Sequence, residues 1–294
     1  MKKSKIVFFA LFFVCLAFGG FSQPAQTPSS DVLKPSKYPD GIYTKENSRT
    51  RRVISYTSLR EADVMWSKRV WRMIDLKQKI NHPLYYPTDI IGDRKSLYQV
   101  IKDAALIDNT ISCFNPLEDE FRNEYTKTEI EALLSRWDST KTTEDPNNPG
   151  TFLAAPQKIN VTSGEITGYI LKEDWFFDKQ RSVLDVRIIG IEVLKQKLTE
   201  TGENTNASSP LFWIYFPEAR PLFANQEVYM RHNDAERRTF DDIFWKRLFS
   251  SYVLKETNVY DRYMSEYTSG LDALLESERV KKDIFVFEHD LWHF

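Results

Sequence analysis

The chain has 294 residues, 42 acidic against 40 basic for a formal net charge of −2, and 41% of its residues are hydrophobic, enough to bury a large core. A surface this close to neutral excludes nucleic acid and anionic lipid as principal partners, because both reward a basic face. Two cysteines cannot staple a scaffold of this size, so stability must come from packing, for which 20 Phe, 14 Tyr and 7 Trp supply the bulk.

Lys2, Lys3 and Lys5 stand before an apolar run, Ile6 to Phe18, that closes through Gly19, Gly20, Phe21 and Ser22 onto Gln23. Charged, apolar and then small residues in that order predict a secretory signal peptide over residues 1–22. Thirteen apolar residues span only about 20 Å as a helix, too short for a permanent membrane anchor. Cys15 lies mid-run behind Phe13 and Val14, so the small residue that lipoprotein processing needs before its cysteine is missing. The mature chain is expected outside the cytoplasm, with a net charge of −5 once Lys2, Lys3 and Lys5 are gone, and with Cys113 its one thiol.

Residues 23–50 are rich in Pro, Ser, Thr and Lys and read as an extended arm, either a solvated leader or a strap that orders on a neighbouring subunit. A helical lobe is expected over residues 51–140. Ser58 and Glu61 have capping-box spacing ahead of a segment in which Leu59, Ala62, Trp66, Val70 and Met73 share one helical stripe, with Met65, Trp71 and Ile74 beside it. An arc that wide implies a helix buried on more than one side. His82, Pro83 and Pro87 break the chain. A second helix opens at Lys95 or Ser96, with Leu97, Val100, Ile101 and Ala104 on one face, and a third is capped by Thr128 and Glu131, with Ile130, Leu133, Leu134 and Trp137 as its stripe.

Residues 141–165 read as a loop or linker, and an α+β lobe follows over 166–294. Tyr169, Leu171, Trp175 and Phe177 alternate with Lys172, Asp174 and Asp178, as a half-buried strand requires. Val183 to Leu194 returns as a second strand, and Gly190 within it marks a bulge or a close backbone approach. Pro210 and Pro217 fence Leu211 to Phe216, six apolar residues that fit a central strand covered on both faces. Thr239 and Asp242 cap a helix with Phe240, Ile243, Phe244 and Leu248 inward, Tyr252 to Lys255 is a short strand, and Leu271, Leu274 and Leu275 mark a final helix. The fold class expected is α+β, a helical N-terminal lobe followed by an antiparallel-sheet lobe with flanking helices.

Signs of chemistry are sparse. His289 and His293 have the spacing of a zinc-protease helix with Asp in place of Glu, but the acid is short by a methylene and no third ligand follows. Asp241 and Asp242, or Glu118, Asp119 and Glu120, are paired acids by adjacency alone, and Asp242 already caps a helix. No phosphate-binding glycine loop, nucleophile elbow or Cys–His pairing is present, so neither catalytic residues nor a cofactor are expected. The aromatics carry more weight. Trp66 and Trp71 point in different directions on a helix, and with Arg69 and Arg72 they have the composition of an interface centre. Arg49, Arg51 and Arg52, at the junction of arm and lobe, are placed to hold an acidic patch on a neighbour or to form a solvated cluster.

Five segments in order carry a resemblance: Asp63-Val-Met-Trp-Ser-Lys-Arg-Val-Trp-Arg-Met-Ile-Asp-Leu, Asn81-His-Pro-Leu-Tyr-Tyr-Pro, Ser96-Leu-Tyr-Gln-Val-Ile, Pro217-Glu-Ala-Arg-Pro-Leu and Thr239-Phe-Asp-Asp-Ile-Phe. From about residue 40 onward the chain resembles the gliding-motility and type IX secretion family called GldN, or PorN, of Bacteroidota. The resemblance implies a non-enzymatic periplasmic part of a secretion machine. It implies association with an outer-membrane lipoprotein of the GldK or PorK type, self-association into a large ring beneath the outer membrane, and contact with the periplasmic part of a GldM- or PorM-type motor protein. No nucleic acid and no direct membrane insertion are implied. Two other classes compete: a periplasmic metal-dependent hydrolase using His289 and His293, and a carbohydrate-binding module that stacks exposed tryptophans on sugar rings.

Overall fold

The computed structural model describes residues 51–138, 142–144, 152–154, 157–198, 204–229, 233 and 236–291. The signal peptide, the arm and Arg49 lie outside the described residues, as do His293 and parts of the 141–165 segment. In chain order the first half contains β1 (Val64–Asp75), α1 (His82–Tyr85), α2 (Leu97–Asp103), β2 (Cys113–Phe114), α3 (Lys127–Leu133), β3 (Ser135–Asp138), β4 (Thr142–Glu144), β5 (Phe152–Ala154) and β6 (Gln157–Asn160). The second half adds β7 (Ile166–Asp178), β8 (Val183–Leu198), β9 (Asn204–Tyr215), α4 (Phe216–Ala224), β10 (Glu227–Val228), β11 (Arg238–Thr239), α5 (Phe240–Trp245), β12 (Tyr252–Glu256) and α6 (Leu271–Asp290). The fold is α+β, built on one six-stranded antiparallel sheet of order β12-β1-β7-β8-β9-β2, with three two-stranded ribbons, β3–β6, β4–β5 and β10–β11.

The largest departure from the sequence reading is β1. Residues expected to form a helix from Ser58 to Ile74 form a twelve-residue strand, preceded only by a short 3₁₀ turn at Glu61–Asp63. The strand pairs with β7 from Val64 to Asp75 and with β12 from Val70 to Met73. Because it lies inside the sheet, Val70 to Ile74 are buried on both faces, and the alternation that would betray a strand is erased just where the apolar residues are densest. The helical lobe thus contributes a strand to the sheet of the α+β lobe.

Smaller departures have equally local causes. Thr126 and Glu129, two residues before the expected pair, cap α3, and the helix ends at Leu133, so Trp137 falls in β3 and stands 69% exposed instead of packing inward. Phe216 leaves β9 to open α4, where Pro217 occupies a first-turn position that needs no N–H donor. α5 stops at Trp245, which leaves Leu248 partly exposed. The remaining elements stand where the pattern put them: Ser96 caps α2, β7 and β8 form the long hairpin, Thr239 and Asp242 form the capping box of α5, and β12 and α6 follow.

One face of the sheet carries two apolar clusters. The larger gathers Ile74, Tyr169, Leu171, Ile191 and Val193 from the strands with Leu97, Ile101, Phe216, Phe223, Phe240 and Phe244 from α2, α4 and α5. The smaller joins Val70 and Val253 to Met264, Val280 and Ile284 beneath α6. Cys113 is buried in the larger cluster, and burial pushes its thiol pKa up to about 12, which makes it an inert packing residue.

On the opposite face, Gly190 does what its position in β8 suggested. The register slips by one residue where Lys172 pairs with Gly190 and Glu173 with Ile188, a bulge that leaves Ile189 unmatched. A Cβ on Gly190 would come within 2.4 Å of Phe121 Cζ and 3.2 Å of the Ile214 carbonyl oxygen. Phe121, held at a positive φ of 57°, lies on this bare backbone with its ring edge-on to Trp213 and Tyr215. Gly190→Ala is therefore expected to lower stability by about 1–3 kcal/mol, and Phe121→Ala in the same chain to recover part of the loss. Urea denaturation of both single variants and the double variant checks this, and strict additivity would refute the contact.

Candidate interaction site

Strand geometry decides where the four central candidates go. Side chains two apart share a face, so Trp66 and Arg72 lie on the side covered by α6, while Arg69 and Trp71 lie on the other. The sequence had Trp66 and Trp71 pointing in different directions with Arg69 and Arg72 nearby, and the structure joins Trp66 to Arg72 on one face and Arg69 to Trp71 on the other.

On the far face, Arg69 is held in a two-point ion pair with Asp174, Nε to Oδ1 at 2.6 Å and Nη2 to Oδ2 at 2.8 Å, and the hydrogen bond to that carboxylate raises the guanidinium pKa. Trp71 is only 5% exposed and donates its indole N–H to Asp119 Oδ2 at 2.9 Å, with the Lys255 ammonium 4.7 Å from its ring centre. The buried Lys172 donates to the Asp119 backbone oxygen at 2.5 Å and lies 3.3 Å from its carboxylate. Asp119, which the sequence offered only as one of three adjacent acids, is the group that ties its loop to this face. A tryptophan so enclosed is no platform for a sugar ring.

In the next row of the same face, Glu192 of β8 stands opposite Trp213 of β9 and Ile170 of β7. Its side chain is buried, and the Trp213 indole N–H finds no hydrogen-bond partner among the described residues. Burial, reinforced by the negative charge of Asp119, pushes the Glu192 carboxyl up to about 8. Nothing in the sequence distinguished this glutamate from any other strand residue.

The α6 side is the more open. α6 docks through Ser277, Val280 and Ile284, its only buried residues. Ser277 Oγ accepts a 2.7 Å hydrogen bond from the Val253 N–H, which is free to donate because the β1–β12 register shifts between Trp71 and Arg72. Trp66 stacks on Phe287 with ring centres 4.4 Å apart and planes inclined by 22°, fixing the last turns of the helix. The Leu271, Leu274 and Leu275 that announced the helix face away from the core, at 70%, 51% and 59% exposure, together with Phe285 and Val286. α6 is apolar on two sides, and only one of them is covered.

Between α6 and the sheet runs a groove of about 760 Å³ lined by Arg72, Trp175, Arg247, Leu275, Lys282 and Phe285, among others. Two of its lining side chains, Arg247 and Trp175, are held by Glu173, which is fully buried. Both Glu173 oxygens accept from Arg247, Oε1 from Nη1 at 2.9 Å and Oε2 from Nη2 at 3.1 Å, and Oε2 also accepts from Trp175 Nε1 at 3.2 Å. Arg247 reaches this position from a left-handed backbone conformation, φ 53°, just after α5. Arg72 is 7% exposed. It donates Nε to Ser251 Oγ at 3.0 Å and Nη2 to the Ser251 backbone oxygen at 3.5 Å, and no described carboxylate lies within ion-pair distance of it. Burial lowers its pKa, against the pull of Glu173.

The remaining candidates have partners of their own. Arg51 pairs with Asp242 of its own chain at 2.7 Å, and Arg52 is exposed. The junction they belong to is held down by Tyr56, which stacks on Trp245 with ring centres 5.4 Å apart, under an Arg220 guanidinium that is itself paired with Asp241 at 2.9 and 3.3 Å. Asp241 and Asp242 thus have structural partners. His289 lies on the last turn of α6, 3.6 Å from Asp290, and no group of three metal-binding side chains occurs among the described residues.

Glu192 gives a test of this geometry. Its folded-state pKa lies above the unfolded value near 4.5, so the stability it contributes is whole below that value and is lost as pH rises through about 8. Glu192→Gln is expected to remove this dependence and to gain on the order of a few kcal/mol over the parent above pH 8. Parallel stability profiles of parent and variant from pH 5 to 9 would show that the carboxyl is not buried as described.

A family model described as gliding motility associated protein GldN matches residues 59–293, most of the chain. No curated protein matches it.

Proposed function

The chain belongs to the gliding-motility-associated GldN family, a family of gliding-motility and type IX secretion components, and from that membership we propose that it works as a non-enzymatic structural subunit on the periplasmic side of the outer membrane. In this reading it joins an outer-membrane lipoprotein of the GldK or PorK type, self-associates into a ring, and meets the periplasmic part of a GldM- or PorM-type protein. The leader over residues 1–22 supports export, and no helix of the described residues is long and apolar enough to cross a membrane.

The observation that carries the proposal is the second apolar side of α6. Single exposed leucines need no explanation, but Leu271, Leu274, Leu275, Phe285 and Val286 recur along one helix that is already anchored by its opposite side. A helix that spends five large apolar side chains on solvent is built for burial in an assembly. A ring needs two self-surfaces that meet head to tail, and the arm of residues 23–50 is proposed to supply one of them as a strap. Arg49, Arg52 and the Trp66–Arg72 segment are proposed to lie near such contacts.

Gentle detergent extraction of envelopes tests the reading. The parent chain is expected in a particle of very high mass together with a lipoprotein. Leu275→Asp with Phe285→Asp changes only exposed side chains, so folding should move by no more than about 1 kcal/mol for the two together while the large particle is lost. A parent chain that sediments alone, without any envelope companion, would end the proposal.

A further inference from the structure

Arg72 poses a physical problem that the chain does not solve by itself. A guanidinium removed from water needs a carboxylate, and the two that act on it are engaged elsewhere, Glu173 gripped at both oxygens by Arg247 and Glu278 of α6 3.4 Å from the Lys281 ammonium. What remains to Arg72 is the neutral Ser251. The same side chain lines a groove with Trp175 below and Leu275 and Phe285 above, in which the cations Arg72, Arg247, Arg279, Lys281 and Lys282 outnumber the acids Glu278 and Glu288.

We propose that this groove receives a segment of a partner protein in which an Asp or Glu is flanked by a bulky apolar residue, the carboxylate pairing with Arg72 and the apolar side chain lying between Trp175, Leu275 and Phe285. The proposal rests on the assembly reading above and adds the chemistry of one contact. A fork of guanidinium donors takes a carboxylate in two parallel hydrogen bonds, which fixes the direction of the incoming segment as well as its charge. Desolvated in a groove of this kind, one such pair flanked by an aromatic anchor has the make-up of an interface hot spot.

The inference separates stability from binding. Arg72→Met replaces an unpaired buried charge by an apolar side chain of similar length, a change that leaves a fold as stable as before or more so. It should nevertheless weaken capture of the partner. The experiment places a photo-crosslinking benzoylphenylalanine at Phe285 of the full chain in its native cells, maps the crosslinked peptide by mass spectrometry, and measures the melting temperature of the purified Arg72→Met chain. Expected are a protein crosslink to a segment with Asp or Glu within three residues of a bulky apolar residue, a yield at least tenfold lower with Arg72→Met, and a melting temperature equal to or above the parent's. A crosslink to lipid, to a segment without an acid, or with undiminished yield in Arg72→Met overturns the inference, as does a lowered melting temperature. A parent chain that still travels in the large particle yet gives no Phe285 crosslink refutes this groove and leaves the assembly reading standing, whereas a parent chain that travels alone refutes the assembly.

Discussion

One buried carboxylate, Glu173, bonds Arg247 and leaves the neighbouring Arg72 without an ion pair, and the groove beside α6 takes its character from that shortage. Glu173 sits in the middle of β7, opposite Val70, where water cannot reach it. Burying it is tolerable only because Arg247 and Trp175 satisfy both oxygens, and a charge pair left half-made at such a site costs several kcal/mol. Arg247 reaches it from the left-handed turn that follows α5, so the ion pair ties the end of α5 to the middle of β7. Arg72, two strand positions from Val70, is then left as the surplus cation at the edge of a groove.

The sheet explains why both of its faces matter. One face is closed by α2, α4 and α5 over β7, β8 and β9 and by α6 over β1 and β12. The other is closed by a loop, with Phe121 lying on Gly190 and Asp119 linking Trp71 to Lys172. Its polar groups are therefore buried almost as deeply as the apolar ones of the first face, and Glu192 pushed to a higher pKa is the consequence. α6 carries two apolar sides, of which the sheet buries the one with Val280 and Ile284. Its second apolar side is a property of the helix sequence, yet only docking through Ser277, Val280 and Ile284 decides which side is left over.

β1 shows how a sequence pattern can mislead. Ser58 and Glu61 have capping-box spacing, and Trp66, Val70 and Met73 fit one helical stripe, so the local signals agreed with each other. They agreed because a strand buried on both faces has no alternation left to display, and a run such as Val70 to Ile74 then satisfies either period. The judgement that Trp66 and Trp71 point in different directions survives the change of element, since an odd spacing puts them on opposite faces of a strand. Trp137 misled for the opposite reason: its stripe was real through Leu134, but the helix ended at Leu133, four residues short of it. Arg72 was legible as an interface candidate by composition, while its lack of an acid was not, because that depends on Arg247, 175 positions away, having taken Glu173 first.

The amino-acid order by itself determined the α+β class, the β7–β8 hairpin with its close approach at Gly190, the caps of α2 and α5 and the family to which the chain belongs. The hairpin and the caps rest on residues near in sequence, whose spacing fixes local dihedral angles and faces without reference to the rest of the fold, and the class and family on the order of such segments along the chain. Only the tertiary structure decided that β1 is a strand, that Trp66 and Arg72 part from Arg69 and Trp71, that Glu192 is buried, and that α6 keeps one apolar side uncovered. These depend on which distant groups compete for the same neighbour, and that competition is settled by packing in three dimensions.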